Sequence, residues 1–280
     1  MFPVYYSLAQ KIYYYSIRIF IGLVFLFLIL PIVIIIPLSF NVEPFFTITE
    51  GMLNLEPDAY SIKWYREFFN DYKWNLAVRN SLYYGVIATI LATILGTLAA
   101  LGLSSDKMPF KTAITSILIS PMIVPLIIMA AGMFFFYSYI NIIGSDLSII
   151  FAHTVLATPF VVITVTATLA GFDNNLVRAS LSMGANPVAS FFHITLPIIK
   201  PGVISGALLA FVTSFDEVVL ILFLASPEQR TIPRQMFSGL REQINPTILA
   251  AASMLVLVSV LFLIVLIYLR QNNCNKTIDN

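Results

Sequence analysis

The sequence predicts an all-α polytopic membrane protein with six transmembrane helices, and three observations carry that reading. Of the 280 residues 59% are apolar and only 10% charged, where an average soluble domain is about a quarter charged. Mean hydropathy is +0.91. The apolar residues gather into long uncharged runs, and a bilayer core of about 30 Å needs roughly 20 helical residues to cross it.

Residues 1–18 hold Lys11 and Arg18 and no acid, which predicts a cytoplasmic amino-terminal segment. The first run, Ile19–Phe40, is too long for a signal-peptide core and no small-residue cleavage site follows it, so it is expected to be a retained span. Residues 41–78 form an external loop carrying Glu43, Glu50, Glu56, Asp58, Glu67 and Asp71. Within it Trp64, Tyr65, Phe68 and Phe69 interleave with Lys63 and Arg66, the pattern of an amphipathic helix at the membrane surface. The second run is Asn80–Leu103 and the third Thr112–Tyr137. In the third, Pro121 and Pro125 stand on one face and each removes a backbone donor, so a kink or break follows, acting as a hinge or as a packing kink. The fourth, Leu147–Ala170, contains His153, expected to be a hydrogen-bonded packing residue.

Residues 171–200 form the next loop. Ala179–Ile199 is uncharged, yet Ser180, Ser182, Asn186, Ser190 and His193 are polar and Gly184, Pro187 and Pro197 interrupt helix. Two short helices joined at Gly184–Pro187 outside the membrane fit better than a seventh span, and an apolar loop in water implies that a partner covers it. The fifth run, Gly202–Ala225, holds the adjacent acids Asp216 and Glu217 halfway along. Each costs about 2.5–3.5 kcal/mol or more at membrane depth. Neighbours on a helix point about 100° apart, so both cannot meet one partner unless the helix unwinds there or the protomer is enclosed. One of them lines a polar path, or the charge is structural and paired. The sixth run is Thr247–Leu269, followed by a polar tail, 270–280.

With six spans both termini share a side. Eight basic residues fall on that side (Lys11, Arg18, Lys107, Lys111, Arg178, Lys200, Arg270, Lys276) against seven opposite, which weakly places the termini in the cytoplasm. The net charge of +1 gives no basic excess for nucleic acid, and the single Cys274 forms no intrachain disulfide. Phosphate-loop, dinucleotide, zinc-protease and nucleophile-elbow motifs are absent, and His153 and His193 stand alone. No catalytic residue or metal site is expected, and any ATPase that drives transport must be another chain.

Arg178-Ala179-Ser180, then Gly184 after three residues, then Ile194-Thr195-Leu196-Pro197 resembles the E-A-A-x-x-x-G…I-x-L-P signature of membrane subunits of binding-protein-dependent ABC importers. Arg178 replaces the signature Glu, and Ser180 the second Ala. Ser120-Pro121-Met122-Ile123-Val124-Pro125, Ser214-Phe215-Asp216-Glu217-Val218-Val219 and Thr231-Ile232-Pro233-Arg234-Gln235-Met236-Phe237 are similar to the spermidine/putrescine branch, specifically its second, smaller permease. The resemblance covers about Ser61 to Leu269 and implies a type I ABC importer permease fold in the bacterial inner membrane.

It also implies a coupling loop to the ATPase through Arg178, Ala179, Ser180, Leu181, Met183, Gly184, Asn186, Pro187, Phe192, Ile194, Leu196 and Pro197. Ser214, Phe215, Asp216 and Glu217 would line the substrate path, and Pro121 and Pro125 would be the hinge. The implied partners are an ATPase dimer that binds ATP and Mg, a second permease, an external solute-binding protein and lipid; this chain itself holds no cofactor. Three readings stay open: a permease for polyamines or similar cationic amines, one for another solute such as an opine or organophosphonate, or an ion-coupled secondary carrier using Asp216 and Glu217.

Overall fold

The computed structural model describes residues 8–105, 107–242 and 245–261, which are helices joined by turns with one antiparallel bridge between Asn41 and Tyr60. The chain divides into two compact units: residues 1–71 with 238–280, and residues 72–237.

In the first unit, α1 (Leu8–Leu38) is 31 residues long, about 46 Å at about 1.5 Å per residue. That exceeds a bilayer core. The surplus is the aromatic start of the helix, where Tyr13, Tyr14 and Tyr15 gather and the Arg18 guanidinium lies 4.2 Å from the Tyr14 ring centre, suited to a membrane–water interface. The rest of α1 presents Leu, Ile, Val and Phe outward, as a lipid-facing helix does.

Asn41 organises the segment that follows. Its Nδ2 donates to Thr47 O at 2.8 Å, its Oδ1 accepts from Glu43 N at 2.9 Å, and its carbonyl accepts from Trp64 Nε1 at 2.7 Å. These bonds hold the loop that leads to α2 (Glu50–Leu53) against α3 (Lys63–Asn70), the amphipathic helix expected from the sequence, with Trp64 and Phe68 buried one turn apart. Asn245 Nδ2 donates to Glu67 Oε1 at 2.8 Å, while Asn245 Oδ1 accepts from Thr247 N at 2.9 Å and so starts the apolar helix 247–261. The remainder of the sixth run to Leu269, the tail 270–280 and Cys274 lie outside the described residues.

The second unit is built on α4 (Tyr72–Ser104), α7 (Asp146–Leu169) and α10 (Leu196–Phe215). Their meeting faces carry Ala92, Ala100, Ala157, Val161, Val165, Ile199 and Ala210, all fully buried. Hydrophobic transfer does not drive helices together in lipid, so close backbone approach has to. Glycines supply it: a Cβ on Gly96 would stand 2.6 Å from Val161 Cβ, and one on Gly206 2.9 Å from Val161 Cα.

The structure corrects two span boundaries. The second helix begins at Tyr72 rather than Asn80, because nothing from Tyr72 to Asn80 breaks helix. Of the kink or break expected in the third run, the structure has the break: two helices, α5 (Lys111–Ile123) and α6 (Leu126–Tyr139), bent by 104°. The break falls at Val124, whose backbone is extended (φ −68°, ψ 132°), the conformation a following proline imposes. Pro125 therefore makes the bend, while Pro121 is absorbed inside α5. The fifth run is displaced: helix runs unbroken from Pro187 to Phe215, stops before Gly202–Ala225 is complete, and resumes as α11 (Val219–Leu224). Among the described residues four helices are thus long and apolar enough to cross a membrane, or five if the bent pair is one span.

Candidate functional site

The expected docking loop is a hairpin whose every turn traces to named side chains. Asp173 Oδ1 accepts from Asn175 N at 2.9 Å and starts α8 (Asn174–Ser182). Gly184 ends it. Its φ of +93° is the left-handed region that glycine enters without steric cost, and it completes a Schellman motif in which Gly184 N donates to Leu181 O (3.0 Å) and Ala185 N to Ser180 O (3.1 Å). Asn186 Oδ1 then accepts from Ala189 N at 2.7 Å and Pro187 opens the next turn, α9 (Pro187–Ser190).

Ser180, a departure from the signature, pins the two arms together: its Oγ donates to Ser190 Oγ at 2.8 Å, and both residues are buried. Ser180→Ala, which restores the signature residue, is expected to cost about 1 kcal/mol through the unpaired Ser190 and to lower thermal stability modestly without loss of transport.

The second arm is not a separate short helix. Through Phe191–Thr195 the backbone widens into a π-turn, Leu196 N bonding Phe191 O, and continues into α10. Pro197 lacks an N–H and its ring would collide with the carbonyl four residues back; a wide turn relieves both. Leu196 packs against the core, Ile194 is half-buried, and Pro197 is exposed. Outward on the hairpin stand Arg178, Ala179, Leu181, Met183 (82% exposed), Asn186, Pro187 and Phe192, joined by Leu176 and Val188. The exposed apolar surface anticipated from composition is present.

The acids lie where the fifth span unwinds, and the break separates them. Asp216 is exposed. Glu217 is 6% exposed, and its Oε1 accepts from Leu220 N at 2.9 Å, meeting one of the unpaired donors at the start of α11. One carboxylate is exposed and its neighbour is engaged in holding backbone. Just before the break, Ser214 Oγ pairs with His153 Nδ1 at 2.7 Å, both buried, in keeping with a packing role for His153. Phe215 stacks on Phe211 with centroids 5.5 Å apart. Ser214, Phe215, Asp216 and Glu217 are contiguous at the break; Pro121 and Pro125 belong to the separate bend between α5 and α6.

Sequence reasoning missed a polar knot at the other end of the three-helix core. Asp146 Oδ1 accepts from Tyr84 Oη at 2.6 Å and from Gln229 Nε2 at 2.7 Å. Asn80 Nδ2 donates to the carbonyls of Glu228 and Arg230 at 2.8 and 3.0 Å, and Ser81 Oγ accepts from Ile232 N at 2.8 Å. These bonds tie α4 and α7 to the segment that enters α12 (Ile232–Glu242). A partial signal existed: Ser145 before Asp146 marks a helix start, and its Oγ accepts from Ser148 N. Nothing in the sequence pointed from Asp146 to Tyr84.

Comparison with known proteins matches residues 92–272 to the family described as "Binding-protein-dependent transport system inner membrane component". The chain is 31% identical to the spermidine/putrescine transport system permease protein PotC of Haemophilus influenzae, over 91% of this chain and 96% of that one. It is 32% identical to the putrescine transport system permease protein PotI of Escherichia coli K12, over 82% of each. Among solved structures, a bacterial ABC transporter involved in the import of alginate superposes with a TM-score of 0.70 at 16% identity, covering 95% of this chain and 99% of that one, a likeness of fold.

Proposed function

Since this chain belongs to the binding-protein-dependent transport system inner membrane components, we propose that it forms, with a second permease, the path by which a polyamine-class cation crosses the inner membrane. It is a non-catalytic ABC importer subunit, which removes the ion-coupled carrier reading. The observation that supports the cationic solute is the similarity to spermidine and putrescine permeases over about nine-tenths of the chain. A polyamine has an apolar stem between ammonium groups, and the helix break offers an exposed carboxylate, Asp216, beside the Phe211–Phe215 pair, which suits both parts.

In this mechanism both termini and the 171–200 hairpin face the cytoplasm. A separate ATPase dimer grips the outward residues of α8 and the turn at Gly184. Nucleotide-driven closure of that dimer moves the hairpin, and because the second arm is continuous with α10, the movement reaches Phe215–Glu217 along a rigid rod. The external binding protein delivers solute to the opposite face. The bend at Pro125 gives α5 and α6 a hinge.

The test is ATP-dependent uptake of labelled putrescine and spermidine by the reconstituted complex. Asp216→Asn should reduce uptake about tenfold, the scale of one charge contact in a watery cavity, with the complex still assembled. Glu217→Gln should keep most activity because its remaining oxygen still accepts from Leu220 N. Uptake of a neutral solute with no competition by polyamines would overturn the substrate class.

A further inference from the structure

The segment between α1 and α3 contains a second Schellman turn, built without glycine. α2 starts on Thr49, whose Oγ1 accepts from Met52 N at 3.4 Å. It ends with Leu55 N donating to Met52 O (3.2 Å) and Glu56 N to Gly51 O (2.8 Å). Leu55 takes the left-handed position, with φ +55°. A residue with a Cβ is disfavoured there, and at Gly184 the chain meets the same demand with glycine. Packing does not compensate: Leu55 is 76% exposed, and Leu53, two residues before it, 71%.

The frame beneath these leucines is well held. Met52 and Ala59 are buried, Tyr60 Oη donates to Met52 O at 3.0 Å, and Val42 N donates to Ala59 O at 3.0 Å. A disfavoured backbone angle kept at an anchored turn, with its apolar side chain turned to solvent, points to a contact outside the chain. The charges narrow that contact. Residues 41–60 include Glu43, Glu50, Glu56 and Asp58 and no basic residue, and all four carboxylates are exposed. Anionic headgroups repel such a segment, so a lipid surface is a poor partner. A protein interface suits it: an apolar anchor enters a pocket while charges stay at the wet rim.

We infer that the Leu53–Leu55 knuckle docks the external solute-binding protein, which meets it with a shallow apolar pocket ringed by lysine or arginine. This rests on the orientation and the binding-protein dependence proposed above, which put the knuckle at the end of α1 away from the cytoplasm. The two kinds of side chain have separable roles. Exposed carboxylates steer a basic surface inward and act on the rate of association, whereas seated leucines act on the lifetime of the complex.

The experiment uses the whole complex in phosphatidylcholine nanodiscs and the binding protein that supports its uptake, and reads association, dissociation and stimulated ATP turnover. Leu55→Asn keeps a residue that tolerates left-handed backbone and removes the apolar side chain. Dissociation should be about tenfold faster, half-maximal stimulation should need correspondingly more binding protein, and turnover at saturation and thermal stability should stay at wild-type values. Glu43→Lys combined with Asp58→Lys should slow association about tenfold at low salt and little at high salt. Wild-type stimulation with kinetics unchanged in both variants would overturn the surface alone. Loss of the second permease from the purified Leu55→Asn complex would also overturn it, by assigning the knuckle to the subunit interface. So would a Leu55→Trp probe quenched by brominated lipid beyond the quenching of Trp64 and Trp74 in the wild type, which would seat the knuckle in the bilayer. A wild-type complex that no binding protein stimulates would overturn the transport reading and this surface with it.

Discussion

Gly184→Val is expected to abolish coupled transport. The wild-type residue sits at φ +93° with nothing within 4 Å of the place a Cβ would occupy, so the obstacle is backbone strain and not space. A β-branched residue there is a severe outlier; a non-glycine residue in a sparsely populated region costs about 1–3 kcal/mol even when the fold tolerates it. The hairpin has a cheaper escape, which is to open the Schellman turn and turn Asn186 and Met183 away from their present positions. ATPase copurification should fall by about tenfold or more, uptake should fall with it, and the permease itself should still accumulate in the membrane. Gly184→Asn, which tolerates left-handed backbone, should restore most of both. Normal ATP turnover and normal uptake in Gly184→Val would exclude this turn as the point of mechanical contact.

Gly206→Val should have the largest effect on the fold. A Cβ at this site would meet Val161 Cα at 2.9 Å and Thr164 Oγ1 at 2.4 Å, and one of these is backbone that cannot rotate away. Forcing α10 off α7 opens the face on which Val161, Val165, Ile199 and Ala210 are fully buried, with an overpacking cost of about 1–3 kcal/mol or more in a membrane domain held by close packing. Little folded protein should be recovered, and detergent-solubilised material should aggregate. Thr164→Ala should not rescue it. The comparison is Gly202, where the nearest obstacle is a side chain, Thr168 Oγ1 at 2.1 Å: Gly202→Ala should be damaging alone and partly repaired by Thr168→Ala. Recovery of Gly206→Val at wild-type yield would mean that α7 and α10 do not pack through this glycine.

Much of the candidate site was legible because its signals are local. Gly184 four residues beyond Ser180, followed by Asn186-Pro187, specifies a helix stop and a helix start at fixed offsets, and the structure places both there. Adjacent carboxylates at the middle of an apolar run required an unwound or enclosed backbone, and the backbone unwinds. The partners were not legible. Which carboxylate turns inward depends on where α11 presents its free N–H groups, and the meeting of Tyr84, Asp146 and Gln229 depends on helices separated by 62 and 83 residues in the chain. The two prolines were indistinguishable by pattern, yet only the residue before Pro125 left the helix.

The amino-acid sequence by itself determined that this protein lives in a membrane, that its backbone there is helical, and that it carries an apolar hairpin in place of any catalytic machinery. Lipid offers backbone groups no hydrogen bonds, so long uncharged runs have one solution and composition suffices to find it. Tertiary structure decided the direction of the bend at Pro125, the continuity of the hairpin's second arm with α10, and the division of labour between Asp216 and Glu217. Those outcomes depend on which backbone donors and small residues meet across helices, and such meetings are set by packing in three dimensions.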